Sequence, residues 1–290
     1  MIKEKGSILI FTLWVLIILA ILSIILSHRA SSDVKLAKYE SDKIKATYLA
    51  KAGVVKMLAE LAKDKAENSY DSLNEDWNRD KDNPKELKLA GATIYYGASD
   101  ESGRLNLNSS ITDKIYKDRL VGLDIRIDEY LAGEILNYKK GKGEKGFEFI
   151  EELFLVGDGS NMTAEIFSAI KDFVTVYRGT ESKVNINTAS EKILYAITDD
   201  VNLVPEILRY RKEGEDGDEY TIEDNAFRSD DEISVFLEKE NSEVPPAYFS
   251  VNSDDYFRIW AEVSLTEDKE IVKSVEAVVN RSGKIYHWNE

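Results

Sequence analysis

The sequence has no cysteine, only two histidines and only four prolines in 290 residues. Without cysteine the chain cannot form disulfides, offer a thiol nucleophile or build a zinc site from thiolates. The two histidines, His28 and His287, leave little material for a histidine-rich metal centre, and no motif places either beside a nucleophilic serine. Neither thiol chemistry nor a serine–histidine–aspartate arrangement is therefore expected.

Positive charge is also scarce, since 38 basic residues stand against 54 acidic ones and the formal net charge is −16. A general nucleic-acid-binding protein needs a positive surface against phosphates, so this balance argues against that class. Apolar residues make up 43% of the chain, which is enough to bury a core. The length corresponds to about two domains or one elaborated domain.

One apolar run dominates the amino-terminal region. Residues 7–27, SILIFTLWVLIILAILSIILS, contain no charge, no glycine and no proline. A helix of this length spans roughly 30 Å, about the thickness of the hydrocarbon core of a bilayer. The run is longer than the apolar region of a secretory signal peptide, and the following HRASSDVKL is a poor cleavage site. We predict a single transmembrane helix over 7–27, with Lys3 and Lys5 cytoplasmic and the remainder of the chain outside.

An amphipathic helical pattern continues beyond this run. Residues 33–65 contain no proline, and apolar or small residues recur at helical spacing. We predict one helix over 7–66 whose apolar stripe packs on a sheet, and we take the same stripe as the candidate for contacts with partner subunits. The stripe consists of Ala37, Ile44, Tyr48, Ala52, Val55, Ala59 and Ala62.

The segments that flank the middle of the chain predict an antiparallel sheet. Residues 67–90 are polar and are predicted to be a loop, followed by strands at 93–98 and 105–108. Three further alternating segments near the end are predicted to form a meander, at 257–265, 271–280 and 285–288. We expect these five strands to form one sheet packed on the long helix.

The middle of the chain, residues 109–246, has helical spacing interrupted by glycine-rich segments, and it carries most of the negative charge. The sequence therefore predicts an α+β protein with a large all-α domain inserted between strands of one sheet. The inserted domain spans 109–246, and the α+β domain consists of 67–108 and 247–290.

The amino terminus resembles the class III leader of type IV pilins and type II secretion pseudopilins. MIKEKG is short and basic, and Gly6 directly precedes the apolar run. The resemblance implies that residues 1–6 are a leader, which a prepilin peptidase cuts after Gly6 before methylating the new amino terminus at Ser7. Most pilins carry glutamate at the fifth mature position, which is Phe11 here. Its absence fits a subunit with no neighbour above it in a filament, or alternatively an ordinary membrane anchor.

A second resemblance extends over nearly the whole chain. DESGRLNLN at 100–108 and VNINTAS at 184–190 are similar to motifs of the protein K family of type II secretion minor pseudopilins (general secretion pathway protein K). YLAKAGV, FEFIEELFLV and SDDYFRIWAEV, at 48–54, 147–156 and 253–263, are similar to that family too, and all five segments occur in the same order.

This resemblance implies a pilin-like fold and a non-enzymatic role at the tip of a periplasmic pseudopilus. The expected partners are the minor pseudopilins I and J, the major pseudopilin G and the prepilin peptidase, with no nucleic acid. The expected location is the inner membrane, crossed once, with the bulk of the chain in the periplasm. Such a subunit would help to initiate and cap assembly.

A minor pilin or membrane-tethered binding module of a DNA-uptake or adhesion pilus is the alternative. A string similar to VNINTAS opens the helix-hairpin-helix of DNA-uptake receptors. Here the following hairpin has no glycine and carries Asp199 and Asp200 where a phosphate would lie, so it would repel DNA. Thr188 and Glu191 match a capping box, which predicts a helix start at this point.

Calcium is the one metal that the sequence leaves open. The candidate oxygen ligands lie in a glycine-containing loop, at Glu215, Asp216, Asp218 and Glu219. Their spacing does not match the pattern of a calcium-binding EF-hand loop. We therefore expect no required cofactor, with calcium in this loop as the open alternative.

Overall fold

The computed structural model describes residues 5–157, 161–213, 226–265 and 270–290. The helices are α1 (Lys5–Glu67), α2 (Asp113–Leu123), α3 (Glu129–Gly141), α4 (Ala164–Ile170), α5 (Glu191–Thr198), α6 (Leu203–Glu213) and α7 (Asp230–Lys239). The strands are β1 (Lys85–Leu89), β2 (Ala92–Asp100), β3 (Leu105–Asn106), β4 (Val174–Thr175), β5 (Val184–Asn185), β6 (Phe249–Ser250), β7 (Tyr256–Ser264), β8 (Ile271–Asn280) and β9 (Ile285–Asn289).

The single long helix predicted for the amino-terminal region is confirmed. Helix α1 runs without interruption over 63 residues. By length and composition it can cross a membrane, and its most apolar stretch is not buried against any described part of the chain. A continuous helix leaves no unsatisfied backbone group within that stretch, which is the condition for crossing hydrocarbon.

A five-stranded antiparallel sheet lies behind the carboxyl-terminal part of α1, in the order β1-β2-β7-β8-β9. The three predicted carboxyl-terminal strands are confirmed as β7, β8 and β9. The sheet takes two strands from the chain before residue 109, as predicted, but one of these two was wrongly identified.

The edge strand of the sheet is β1, which falls in the segment predicted to be a loop. Ala90 and Gly91 both have positive φ, 53° and 74°, and make the tight turn into β2. Positive φ at both central residues suits the right-handed twist of a two-residue hairpin. The predicted strand at 105–108 instead contributes β3, which pairs in parallel with β4 outside the sheet.

The first buried core forms between α1 and one face of the sheet. Its α1 side chains include Ala46, Leu49, Ala50, Val54, Met57 and Leu61. The prediction that the stripe with Ile44 and Tyr48 packs on the sheet is wrong, because these side chains are 57% and 69% exposed. The face that packs on the sheet begins at Ala46, two residues after Ile44. Two residues correspond to a rotation of roughly 200° around the helix.

Gly53 lies where α1 approaches the sheet most closely. A Cβ at this position would stand 2.8 Å from Cγ2 of Ile94 and 3.0 Å from Cβ of Ala261. Glycine in a helix interior costs about 1 kcal/mol relative to alanine. Here that cost is offset by the close contact that the missing side chain permits.

A second buried core occupies the middle of the chain. It extends from Leu105 to Val251 and includes side chains of α2 to α7. The helical character predicted for 109–246 is confirmed, but "all-α" is incomplete, because β4 and β5 lie inside this range. They pair in parallel with β3 and β6, respectively, so each short pairing joins the middle of the chain to a flanking segment.

We predict opposite effects of the same substitution at two helical glycines. Gly53→Ala places a methyl group against Ile94 and Ala261, and we expect a loss of about 1–3 kcal/mol of stability through overpacking. A methyl group at Gly133 in α3 would meet no atom within 4 Å, so Gly133→Ala should gain ~0.5–1 kcal/mol through helix propensity. Thermal unfolding of the full chain in detergent micelles measures both. Equal stability of the two variants would contradict the close contact at Gly53.

Candidate assembly surface

The outward face of α1 carries apolar side chains that the described chain does not cover. We call the predicted set the outer stripe, which comprises Ala37, Ile44, Tyr48, Ala52, Val55, Ala59 and Ala62. Val55 is 64% exposed, and of the set only Ala52 is half-buried. The other face of the helix is already packed on the sheet, so α1 is apolar on two sides. A contiguous exposed apolar surface is typical of an interaction site.

The amino-terminal part of α1 continues this exposure. Phe11 is 69% exposed, and the other large apolar side chains from Leu9 to Leu26 are exposed as well. Gly6 and Ser7 lie in the first turn of α1, whereas residues 1–4 lie outside the described residues. The cleavage and methylation sites therefore remain predictions.

Ion pairs fix the carboxyl-terminal end of α1 to the sheet. Lys65 Nζ lies 2.5 Å from Oδ1 of Asp255, which follows the second core in the chain. Arg281, in the turn after β8, pairs with Asp64 of α1 at 3.3 Å and also with Asp71. These contacts hold α1 in one orientation, so the outer stripe is presented on a rigid support.

Two of the five segments that carried the family resemblance, DESGRLNLN and VNINTAS, meet at the boundary between the cores. Asp100 from the first motif accepts hydrogen bonds from Asn185 Nδ2 at 2.9 Å and from Thr188 Oγ1 at 2.7 Å. The backbone N–H of Asn185 donates to the carbonyl oxygen of Ser102 at 2.9 Å. A Cβ at Gly103 would lie 2.8 Å from Thr188 Oγ1, so the motifs touch without space between them. Burial raises the pKa of Asp100 to about 6.

Glu101, next to Asp100, is a fully buried carboxylate with two arginine partners. Arg258 Nε of β7 lies 2.7 Å away and Arg104 Nη1 lies 3.3 Å away, and Thr175 of β4 donates a hydroxyl hydrogen bond. Burial raises the pKa of Glu101, but the two guanidinium groups outweigh it and lower the pKa to about 2. This ionised group therefore links the end of β2 to β7 and to the second core. The sequence patterns did not identify Glu101 as a site residue. The available signal was Arg258, a charged residue in the alternating pattern of β7.

The asparagine side chains of LNLN and VNIN make the same set of hydrogen bonds to the backbone in both motifs. Oδ1 of Asn106 accepts from the N–H of Asn108, and Oδ1 of Asn185 accepts from the N–H of Asn187, each at 3.0 Å. Asn108 also bonds both N–H and C=O of Phe147, and Asn187 does the same with Phe227. Each motif begins with a two-residue parallel strand and precedes a helix, so the same local unit occurs twice.

The predicted capping box is wrong by two residues. The N-cap of α5 is Ser190, whose hydroxyl accepts from the N–H of Ile193 at 3.4 Å. The hydroxyl of Thr188, two residues earlier, instead donates a hydrogen bond to Asp100.

The hairpin between α5 and α6 contains the two aspartates singled out in the sequence. Asp199 has φ of 50°, in the left-handed region, and ends α5. Oδ1 of Asp200 accepts from the N–H groups of Asn202 and Leu203, at 2.9 and 3.0 Å. The carboxylate thus occupies the amino-terminal end of α6, where a bound phosphate would need free N–H groups.

Acidic side chains also gather where α1 ends. Carboxylate oxygens of Asp64, Asp71 and Glu75 lie within 4.8 Å of one another. The guanidinium of Arg281 already pairs with the two aspartates, and Glu75 accepts from Ser72 N–H at 2.8 Å and from the Trp77 indole at 2.9 Å. Burial, with Asp64 and Asp71 nearby, raises the pKa of Glu75 to about 8. The predicted calcium ligands Glu215, Asp216, Asp218 and Glu219 lie outside the described residues.

The two histidines lie far apart in the chain and in different surroundings. His28 is exposed on α1, and the His287 ring packs 5.9 Å from the ring of Tyr177 and 6.4 Å from that of Phe149. These contacts give His287 a packing role at the edge of the second core.

The raised pKa of Glu75 predicts a pH dependence of stability. Between pH 4.5 and about pH 8 the Glu75 carboxyl keeps its proton in the folded state but has lost it in the unfolded chain. The free energy of unfolding therefore decreases as pH rises through this range. Glu75→Gln has no such proton, and we expect its unfolding midpoint to decrease less over the same range than that of the wild type. The matched control is the exposed Glu151→Gln, which should follow the wild type. Identical pH profiles for all three proteins would contradict a protonated Glu75.

Comparisons with known proteins find a similarity in structure. No protein-family model matches the sequence. A search of curated proteins also finds no significant match. Among solved structures, the chain is similar to GspK in the crystal structure of the GspK-GspI-GspJ complex from the type 2 secretion system of enterotoxigenic Escherichia coli. The TM-score is 0.62 at 15% sequence identity, over 87% of this chain and 96% of that one. The resemblance predicted from the ordered motifs is therefore confirmed at the level of the fold, which is similar to that of GspK.

Proposed function

We propose that this protein is a minor pseudopilin, a non-enzymatic structural subunit at the tip of a type II secretion pseudopilus. In this role it helps to initiate and cap the assembly that exports folded proteins across the outer membrane. The similarity in fold to GspK over nearly the full length of both chains carries the proposal. The exposed apolar segment of α1 supports it, because such a segment needs lipid or a neighbouring helix as its surroundings.

The proposed position at the tip has two supports. Phe11 cannot neutralise the amino terminus of a neighbouring subunit, as glutamate at that position would, so it suits a subunit that has none above it. The second core also adds bulk beside the sheet, which would hinder stacking of identical subunits one above another. Both features are consistent with a single copy that ends a filament.

The proposed partners follow from the same likeness. The similar GspK chain was crystallised together with GspI and GspJ. We therefore propose contacts of this chain with minor pseudopilins I and J through the outer stripe, with the major pseudopilin G below. Before assembly the chain would be anchored in the inner membrane by α1, with its bulk in the periplasm, and would be processed by the prepilin peptidase.

The alternative, a subunit of a DNA-uptake pilus, has a specific observation against it. Asp200 occupies the N–H groups at the start of α6, and Asp199 adds a second negative charge in the same turn. A phosphate approaching this hairpin would meet two carboxylates and no free N–H groups from Asn202 or Leu203. We therefore propose no nucleic-acid partner.

We predict that the mature chain begins with N-methylated Ser7. Mass spectrometry of the native amino terminus measures this directly. Gly6→Asp should retain Met1 while remaining in the membrane fraction, because the peptidase site is lost and the apolar segment is unchanged. A native chain that keeps Met1 or begins after residue 27 would contradict leader processing, as would normal processing of the variant.

We also predict that charge on the outer stripe prevents assembly without unfolding the chain. Ile44→Glu and Tyr48→Glu should each reduce co-purification with minor pseudopilins I and J by ~tenfold or more, because a buried unpaired charge is costly at an interface. The matched control is Val235→Glu on α7, which introduces the same charge at a side chain that is 65% exposed. All three variants should keep the wild-type unfolding midpoint. Unchanged co-purification by folded stripe variants would contradict this surface.

A further inference from the structure

The two edge strands of the five-stranded sheet differ in character. Strand β1, KELKL, carries three charged residues, and Nζ of Lys85 lies 2.6 Å from Oε2 of Glu60 on α1. Charged side chains on an edge strand disfavour its pairing with another chain. Strand β9, IYHWN, contains no lysine, arginine, aspartate, glutamate or proline. It therefore lacks the residues by which an edge strand commonly avoids such pairing.

The outer edge of β9 presents backbone groups that β8 does not use. Antiparallel pairing with β8 engages the N–H and C=O groups of alternate residues, so those of the other residues point away from the sheet. In the described part of the chain, no other strand lies beside this edge. A bulge at Tyr286 interrupts the ladder, but residues on both sides of it pair with β8. A row of backbone donors and acceptors is matched by another extended backbone.

Strand β9 is supported on both of its faces. Trp288 packs on the first buried core, and Nζ of Lys51 lies 5.6 Å from the centre of its ring. On the opposite face the ring of His287 packs near those of Tyr177 and Phe149, and Phe149 is itself 48% exposed. Because side chains of a strand alternate between faces, an added strand would find apolar surface on both sides of the sheet.

The edge of β9 adjoins the outer stripe of α1. Lys51 reaches Trp288, and its Nζ also lies 3.8 Å from Oε2 of Glu290. At 100° per residue, Tyr48 and Val55 of the outer stripe project within roughly 60° of Lys51 around the helix. A protein that covers these two exposed side chains is therefore placed beside β9 as well.

A second copy of this chain does not suit the edge. A closed pair of identical edge strands is antiparallel, and its two-fold axis stands perpendicular to the sheet. That axis keeps both α1 helices on one face of the combined sheet but reverses the direction of one. The two apolar segments would then point in opposite directions, although copies of one chain insert into a membrane in the same orientation. The occupant is therefore a strand of a different protein.

We propose that the outer edge of β9 receives an extended apolar strand of the minor pseudopilin that covers the outer stripe, so that the sheet continues into the partner. This inference rests on the proposed function, because it specifies how a partner of that function is held. The outer stripe supplies non-directional apolar contact, whereas the edge supplies directional backbone hydrogen bonds. Together they fix the position and the register of the partner.

The first test is hydrogen exchange in the full chain, alone and in complex with minor pseudopilins I and J, in detergent micelles. Mass spectrometry with residue-level fragmentation follows the amides of β9 and β1. In the free chain, the β9 amides that face β8 exchange slowly and the others exchange fast. We expect the fast β9 amides to slow by ~tenfold or more in the complex, with those of β1 unchanged. Contact through side chains alone would leave the β9 amides fast.

The second test is a pair of matched substitutions on the two edge strands. Ile285 of β9 is 51% exposed and Leu89 of β1 is 45% exposed. Ile285→Lys should reduce co-purification with minor pseudopilins I and J about fivefold, because it places a charge beside an apolar strand. Leu89→Lys should co-purify as the wild type does. Both variants should keep the wild-type unfolding midpoint, since both side chains are exposed.

The outcomes separate this inference from the proposed function. A complex in which the β9 amides exchange as in the free chain would overturn the inference and leave the proposed function standing, as would undiminished co-purification by folded Ile285→Lys. Protection of β9 that grows with the concentration of the chain alone would identify a second copy as the occupant and overturn the choice of partner. Absence of any complex with minor pseudopilins I and J would contradict both.

Discussion

The close contact between α1 and the sheet determines which face of the helix is buried and which is left exposed. Small residues, Ala46, Ala50 and Gly53, let the helix backbone approach the strands, and larger ones on either side fill the core. Packing one face of a helix so tightly normally leaves the opposite face polar. Here the opposite face is apolar as well, and it continues into an apolar segment that nothing in the described chain covers. The helix–sheet contact thus creates a fixed surface whose natural environment lies outside the monomer.

The boundary between the two cores is held by buried polar groups rather than by apolar packing. Asp100 and Glu101 at the end of β2 bind Asn185, Thr188, Thr175 and Arg258, which come from segments far apart in the chain. Buried charge contributes little net stability, because desolvation offsets the attraction between the partners. Its effect is geometric, since each carboxylate is satisfied in only one arrangement of the two cores. This gives a physical reason for the presence of DESGR and VNINTAS together in one sequence.

Local patterns allowed much of the fold to be predicted, and the errors have physical causes. The uninterrupted α1 and the alternating strands β7, β8 and β9 were correct, because their periodicities depend only on neighbouring residues. Strand β1 was missed since its turn is Ala90-Gly91, in which alanine is an unusual residue for positive φ. The packing face of α1 was misassigned because the helix has two apolar stripes, and only the sheet decides which one is buried. The buried contacts of Glu101 were not predictable, as Thr175 and Arg258 come from segments that no sequence spacing brings together.

The position of the second core follows from the order of the strands. β2 and β7 are neighbours in the sheet, and Asp100 pairs with Phe257, so the chain leaves the sheet and returns to it about 5 Å away. An insertion whose ends lie this close imposes little strain on the strands that carry it. Because the departure point is also the end of β2 that bears Asp100 and Glu101, the polar contacts begin at the first residues of the insertion. The helical part is therefore held at its base, by buried polar groups at the point where the chain leaves the sheet.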